Sequence, residues 1–251
     1  MKIRLMVAAT LLSGLGFSAP VLADSTPAAD AAFNDGVMAY KAGKADEALA
    51  DWKKAAAGGN IGAAWIMGNL YYQGRGVIQS DKQAYEYYYQ AAMGGHPGAQ
   101  TMVGLYLEQG NAQAGVKRDY AQSRQWLEKA AMQRFPEAQY QLGRVYREGI
   151  GIDPEPSEGI RWYILAATKR YVPAYLTLAK IHFEGAKDIP KNYTDGWMYL
   201  ELAKKFQGEG DQQAVADAIS KYGKWASDAQ KRDGAARVDG WLAGHPNPNE
   251  G

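Results

Sequence analysis

His96, His182 and His245 are the only histidines in the chain, and none stands at the spacing of a metal-ligand set or a catalytic triad. Cysteine is absent, which removes disulfides, thiolate metal sites and a Cys nucleophile together. His96 lies in Gly94-Gly95-His96-Pro97, where the proline suits a first helical position and His96 a residue that precedes or caps the helix. His182 is expected to pack like an aromatic ring. Glu148 and Glu158 come nearest to an acid–base pair, but such work needs carboxyl groups that converge in a pocket, and these acids read as solvated helix exteriors. The turns Gly74-Arg75-Gly76 and Gly149-Ile150-Gly151 look like pieces of phosphate loops, yet no strand precedes them and no Lys-Ser or Lys-Thr follows. They read as helix-ending turns. No metal, cofactor or catalytic residue is expected, and the chain is read as a non-enzyme.

What the residue types do offer is aromatic rings beside arginines, and these sit in a repeating frame. Ala63, Met67, Gly68, Tyr71 and Gly74 are matched by Ala99, Val103, Gly104, Leu107 and Gly110, then by Ala138, Leu142, Gly143, Tyr146 and Gly149. A weaker copy follows at Ala174, Leu178, Ala179, His182 and Gly185. The spacings of 36, 39 and 36 residues signal a stacked repeat architecture. Apolar anchors three and four apart on either side of a Gly-bearing turn divide each copy into helix A and helix B. Gly68, Gly104 and Gly143 lie inside helix A, where glycine costs about 1 kcal/mol against alanine. That loss is explained if the missing side chain lets helix B approach closely. The pairs Ala91-Ala92, Ala130-Ala131 and Ala166-Ala167 on helix B point the same way.

The organisation along the chain follows. Residues 1–23 read as an export signal, since Lys2 and Arg4 precede an apolar run from Leu5 to Phe17 and a small-residue cleavage site ends at Ala23. The run of about 13 residues is short of the roughly 20 that span a bilayer. A periplasmic destination is therefore expected, with no stable membrane insertion after cleavage. Residues 24–32 read as a flexible lead-in and 33–59 as an N-terminal helix pair with a compressed turn. Four repeats are expected over 60–95, 96–134, 135–170 and 171–206. Val215, Ile219, Tyr222, Trp225 and Ala229 then form one apolar stripe, predicting a single capping helix of about five turns within 207–243. Residues 244–251 read as a disordered tail. The chain has 28 Lys and Arg against 27 Asp and Glu; loss of Lys2 and Arg4 tips this to one net negative charge. No global charge recommends nucleic acid as a partner.

These motifs resemble the Sel1-like repeat family, related to tetratricopeptide repeats, most clearly over Ala138 to Ile152 and Gly159 to Ala167. Leu107 and His182 depart from the family's Tyr, and Ala179 from its Gly. The resemblance implies an all-α, right-handed superhelical solenoid of antiparallel helix pairs that binds other proteins. Within the family, Ala39-Tyr40-Lys41-Ala42-Gly43, Ala63 to Trp65 and the leader resemble ExoR-type periplasmic regulators. That likeness implies a soluble inhibitor holding the periplasmic domain of a sensor histidine kinase in its off state, with exopolysaccharide production and motility as outputs. An assembly adaptor for polysaccharide or peptidoglycan enzymes is the competing expectation.

If helix A lines the inner face, as the family implies, three positions around each Leu-like anchor point into the groove. They are Trp65, Asn69 and Tyr72; Thr101, Leu105 and Glu108; Tyr140, Arg144 and Arg147; Leu176, Lys180 and Phe183. The partner-binding set drawn from them is Trp65, Asn69, Tyr72, Glu108, Tyr140, Arg144, Arg147, Lys180 and Phe183, because aromatics beside Arg dominate protein interfaces. Its cationic C-terminal end would suit an acidic segment on the partner. Trp65, Tyr72 and Phe183 can equally pack against the next unit. Tyr85 and Tyr89, four apart, are expected to share a different face and to offer a smaller convex contact, while Tyr88 belongs to the core.

Overall fold

The computed structural model describes residues 25–186 and 189–247. The expected export signal therefore lies outside the described residues, as does the end of the expected tail. The chain divides into two compact units, at Gly94/Gly95. Apart from two isolated β-bridges, Asn111 with Val116 and Ala186 with Ile189, the regular structure among the described residues is helical.

The first unit holds α1 (Pro27–Lys41), α2 (Ala45–Ala57), α3 (Ile61–Gln73) and α4 (Asp81–Met93). Helix α1 begins inside the stretch read as a flexible lead-in. The Thr26 hydroxyl accepts from the Ala29 amide at 3.1 Å, Pro27 opens the helix, and Ala29 and Ala32 are buried. An N-cap with proline behind it is a strong start signal, and burial of the two alanines holds it.

The second unit holds α5 (Pro97–Gln109), α6 (Tyr120–Met132), α7 (Pro136–Glu148), α8 (Pro156–Thr168), α9 (Val172–Glu184) and α10 (Tyr193–Phe206), followed by α11 (Gln212–Tyr222), α12 (Asp228–Ala236) and α13 (Val238–Gly244). His96 caps α5, its Nδ1 accepting from the Ala99 amide at 3.2 Å. Gly149 ends α7 in the left-handed conformation at φ 70°, as Gly74 ends α3 at φ 67°. Both expected helix-ending turns are thus helix C-caps.

The glycines inside the A helices are places of contact. A Cβ on Gly68 would lie 2.6 Å from the Tyr88 ring, and one on Gly143 would lie 2.7 Å from the Tyr163 ring. At Gly104 the neighbour is Leu127, at 3.0 Å. In the last pair the arrangement inverts. Helix A carries Ala179, and the glycine moves to helix B as Gly196, where a Cβ would meet the Phe183 ring at 2.8 Å.

The expected single capping helix is instead three. Helix α11 stops at Tyr222, and the Ser227 hydroxyl starts α12 through a reciprocal capping box with Gln230. Val215 and Tyr222 are buried as expected, but Ala226 takes the inward place and Ala229 is exposed. Nor does the ordered chain stop at Gly244. The His245 ring stacks on Trp241 at 4.5 Å, and Trp241 meets Tyr175 and Tyr199 edge-on at 5.6 and 6.2 Å.

Candidate functional site: the A-helix face

In the first unit, three of the expected residues gather around one ring from helix B. Because Gly68 has no side chain, the buried Tyr88 ring packs directly against α3. Its ring centroid is 5.4 Å from Trp65 and 6.4 Å from Tyr72, and its hydroxyl donates to Asn69 Oδ1 at 3.1 Å. The Asn69 amide nitrogen in turn donates to the Trp65 carbonyl at 2.9 Å. Trp65 and Asn69 are half-buried and Tyr72 is exposed.

The second unit repeats the device with charged residues. Tyr163, itself buried, packs over Gly143 against Tyr140 and Arg147. The Tyr140 and Tyr163 centroids are 5.3 Å apart, and the Tyr140 hydroxyl is 3.3 Å from Thr177 Oγ1 on α9. Burial, with a smaller contribution from Tyr140, pushes the Tyr163 phenol up to about 12, while a hydrogen bond from Arg147 works the other way.

Arg144 is committed within the chain. Its Nη2 donates to both carboxylate oxygens of Glu108 on α5 at 2.7 and 2.6 Å, its Nε to Gln141 Oε1 at 3.1 Å, and its Nη1 lies 3.8 Å from Glu148. The expected free cation is therefore a cross-link between successive A helices. Lys180 is exposed, with Glu184 as the carboxylate that feels its charge.

Phe183 requires a correction. It is 0% exposed, stacked on Tyr222 at 4.8 Å and Tyr193 at 5.7 Å, so no partner reaches it. The same register position carries Tyr72, Glu108 and Arg147 in the earlier copies, but here α11 covers the helix. Thr101 is also buried, its hydroxyl donating to the Pro97 carbonyl at 2.9 Å. Of the second tyrosine group, Tyr88 is core as expected. Tyr85 and Tyr89 do share a face, at 6.0 Å, but Tyr85 is buried and offers little convex contact. The residue missed is Tyr163, which is core like Tyr88; its signal was the internal glycine Gly143 opposite it, which admits the ring.

The histidines have separate packing roles: His96 caps α5, His182 stacks on Tyr199 at 5.5 Å and His245 on Trp241 at 4.5 Å, the last two lining one pocket with Asp195. Glu148 and Glu158 turn to different arginines, Arg144 and Arg161, the latter at 3.0 Å. Among the described residues no group of His, Asp and Glu is arranged to hold a metal, and no helix is long and apolar enough to cross a membrane.

Antiparallel helix pairs that admit a B-helix side chain over a small A-helix residue define an all-α solenoid of the tetratricopeptide-like class. Four copies of the Sel1 repeat match residues 61–96, 97–135, 136–171 and 172–205, and the chain belongs to the Sel1 repeat family. It is 31% identical over 163 residues to an exopolysaccharide production negative regulator of Rhizobium leguminosarum bv. viciae, covering 61% of each chain. A protein of the same description from Rhizobium meliloti (strain 1021) is 29% identical over 165 residues, covering 61% of this chain and 62% of that one. The chain thus spans about three fifths of the length of both relatives. Among solved structures, a Sel1 repeat protein from Oxalobacter formigenes superposes with a TM-score of 0.67 at 27% identity, covering 86% of each chain.

Proposed function

We propose that this chain is a non-enzymatic regulator that acts by binding another protein through its A-helix face. The partner is the periplasmic domain of a sensor histidine kinase, held in its off state, and the output is exopolysaccharide production and motility. The protein works in the periplasm after its leader is removed. The observation that carries this reading is the cross-link between successive A helices. Arg144 and Glu108 fix α7 against α5, and Tyr140 meets Thr177 across α7 and α9, so Tyr140, Arg147 and Lys180 are offered from a braced surface. Preorganised aromatic and cationic groups lose little freedom on binding. The two relatives named as negative regulators of exopolysaccharide production agree with it. Trp65, Asn69 and Tyr72 contribute the corresponding face of the first unit, while Glu108 and Arg144 serve as bracing.

Deletion tests the reading: exopolysaccharide output should rise and kinase-dependent transcripts should change. The intact gene should restore both, and a copy carrying Arg147→Glu with Lys180→Glu should restore neither despite normal abundance. Several stable envelope-enzyme partners with no transcript response would instead favour an assembly adaptor.

A further inference from the structure

The two ends of the repeat frame differ at one edge. In the second unit the turn after α7 packs on its predecessor. Gly151, at φ 69°, lies against Tyr120, the first residue of α6, so closely that an added Cβ would collide with the tyrosine's Cβ and ring. The counterpart of Gly151 in the first unit is Gly76, at φ 70°, and there a Cβ would meet nothing within 4 Å. The counterpart of Tyr120 is Ala45, the first residue of α2. The turn before it is also short, only Ala42, Gly43 and Lys44, against the stretch from Gly74 to Ser80 between α3 and α4.

These two reductions leave a groove of about 650 Å³ between α1, α2 and α3. Its apolar lining includes Tyr40, Leu49, Trp52, Ile66 and Leu70. Tyr40 stands 65% exposed at its edge, 5.6 Å from the buried Trp52 ring. Lys41 and Arg75 also line the groove, and neither joins an ion pair among the described residues; Asp46 is the one carboxylate in the lining. The volume is that of a ligand site rather than a packing fault, and an exposed aromatic beside unpaired cations is the composition of a recognition surface.

We propose that this groove binds a short segment of another protein, which places an aromatic or large aliphatic side chain where Tyr120 sits in the second unit. An Asp or Glu of the same segment meets Lys41 or Arg75. The excess of two cations over one carboxylate sets the sign of the partner's charge. The site lies on the turn edge and shares only Asn69 with the residues of the A-helix face, so either can fail alone.

The test uses the full mature chain and two labelled peptides, one with a central Phe-Leu flanked by Asp and Glu, the other with every acid replaced by Lys. Fluorescence anisotropy should show binding of the acidic peptide, at least ~10-fold tighter than the basic one. Ala45→Tyr fills the groove from within at an exposed helix start, and should abolish binding with the helical circular dichroism unchanged. Lys41→Glu with Arg75→Glu should remove the preference for acid, and Leu165→Ala, on the exposed side of α8, should leave peptide binding unchanged. Absence of binding, equal binding of both peptides, or full binding by the Ala45→Tyr variant would overturn the proposal. Sedimentation of the chain alone covers the remaining occupant. A dimer lost in Ala45→Tyr would mean that a second copy fills the groove, contradicting a foreign segment.

Discussion

Arg144 and Glu108 stand 36 residues apart in sequence, yet one guanidinium nitrogen lies 2.7 and 2.6 Å from the two oxygens of the Glu108 carboxylate. Their side chains are 24% and 10% exposed, so the pair is partly withdrawn from water. Removing one member then leaves a charge that neither water nor a partner fully satisfies. Arg144→Met and Glu108→Gln should each destabilise the fold by about 1–3 kcal/mol, with a coupling of about 1–2 kcal/mol in the double mutant. Urea unfolding of the four proteins measures both. Because the pair is structural, Arg144→Glu is a poor probe of partner binding; Arg147 and Lys180 are the cleaner choices.

The internal glycines should rank by what faces them. Gly143→Ala puts a methyl 2.7 Å from the Tyr163 ring and 2.9 Å from the backbone oxygen of Gly159, where nothing yields cheaply. At Gly104 the nearest atoms belong to Leu127, at 3.0 and 3.1 Å. Overpacking costs about 1–3 kcal/mol, and glycine to alanine in a helix returns about 1. Gly143→Ala, at the upper end of that cost, should therefore destabilise by about 2 kcal/mol, and Gly104→Ala, at the lower end, should be near neutral. Equal losses in thermal unfolding would contradict the ranking.

Acid should weaken the second unit through His182. Burial holds its imidazole below the ordinary value, with Asp195 opposing the shift, and the ring is stacked on Tyr199. The unfolded chain binds this proton near pH 6.5 and the folded chain only at lower pH. The stability is thus complete above about pH 6.5 and falls as the pH drops toward the folded value. His182→Tyr, which restores the ring type found at this position in two other copies, should flatten the dependence between about pH 7 and pH 5. An unchanged slope would assign the acid response elsewhere.

The C-terminal helices should prove indispensable. Trp241→Ala removes the ring that meets Tyr175 and Tyr199 and should cost about 2–4 kcal/mol, somewhat below the about 3–5 of a fully buried aromatic because the ring is half-buried. Deleting residues 238–251 should lower the melting temperature further. A truncated chain that melts with the full one would mean that α13 covers nothing of consequence.

The repeat frame was legible because small residues at fixed intervals answer to close backbone approach, and Gly68, Gly104 and Gly143 each met the B-helix side chain their register implied. Register gives a face but not what covers it. Phe183 shares its place with Tyr72 and Arg147, and only the path of α11 buries it. The stripe from Val215 to Ala229 obeyed helical spacing across a break that the Ser227 and Gln230 cap imposes. For the same reason Arg144 read as a free cation, since its partner Glu108 belongs to another copy. The start at Thr26 and Pro27 was written in the chain, but the small residues after it resembled a linker.

The claim that the A-helix face holds a partner is tested most directly by photo-cross-linking in intact cells, with the probe at Arg147, at Lys180 and, as a control, at the exposed Leu165 on α8. Capture of a sensor kinase's periplasmic domain from Arg147 and Lys180, and not from Leu165, is the result this account predicts. Capture of that domain from Leu165 alone, of envelope enzymes only, or of nothing from the A-helix positions would contradict it.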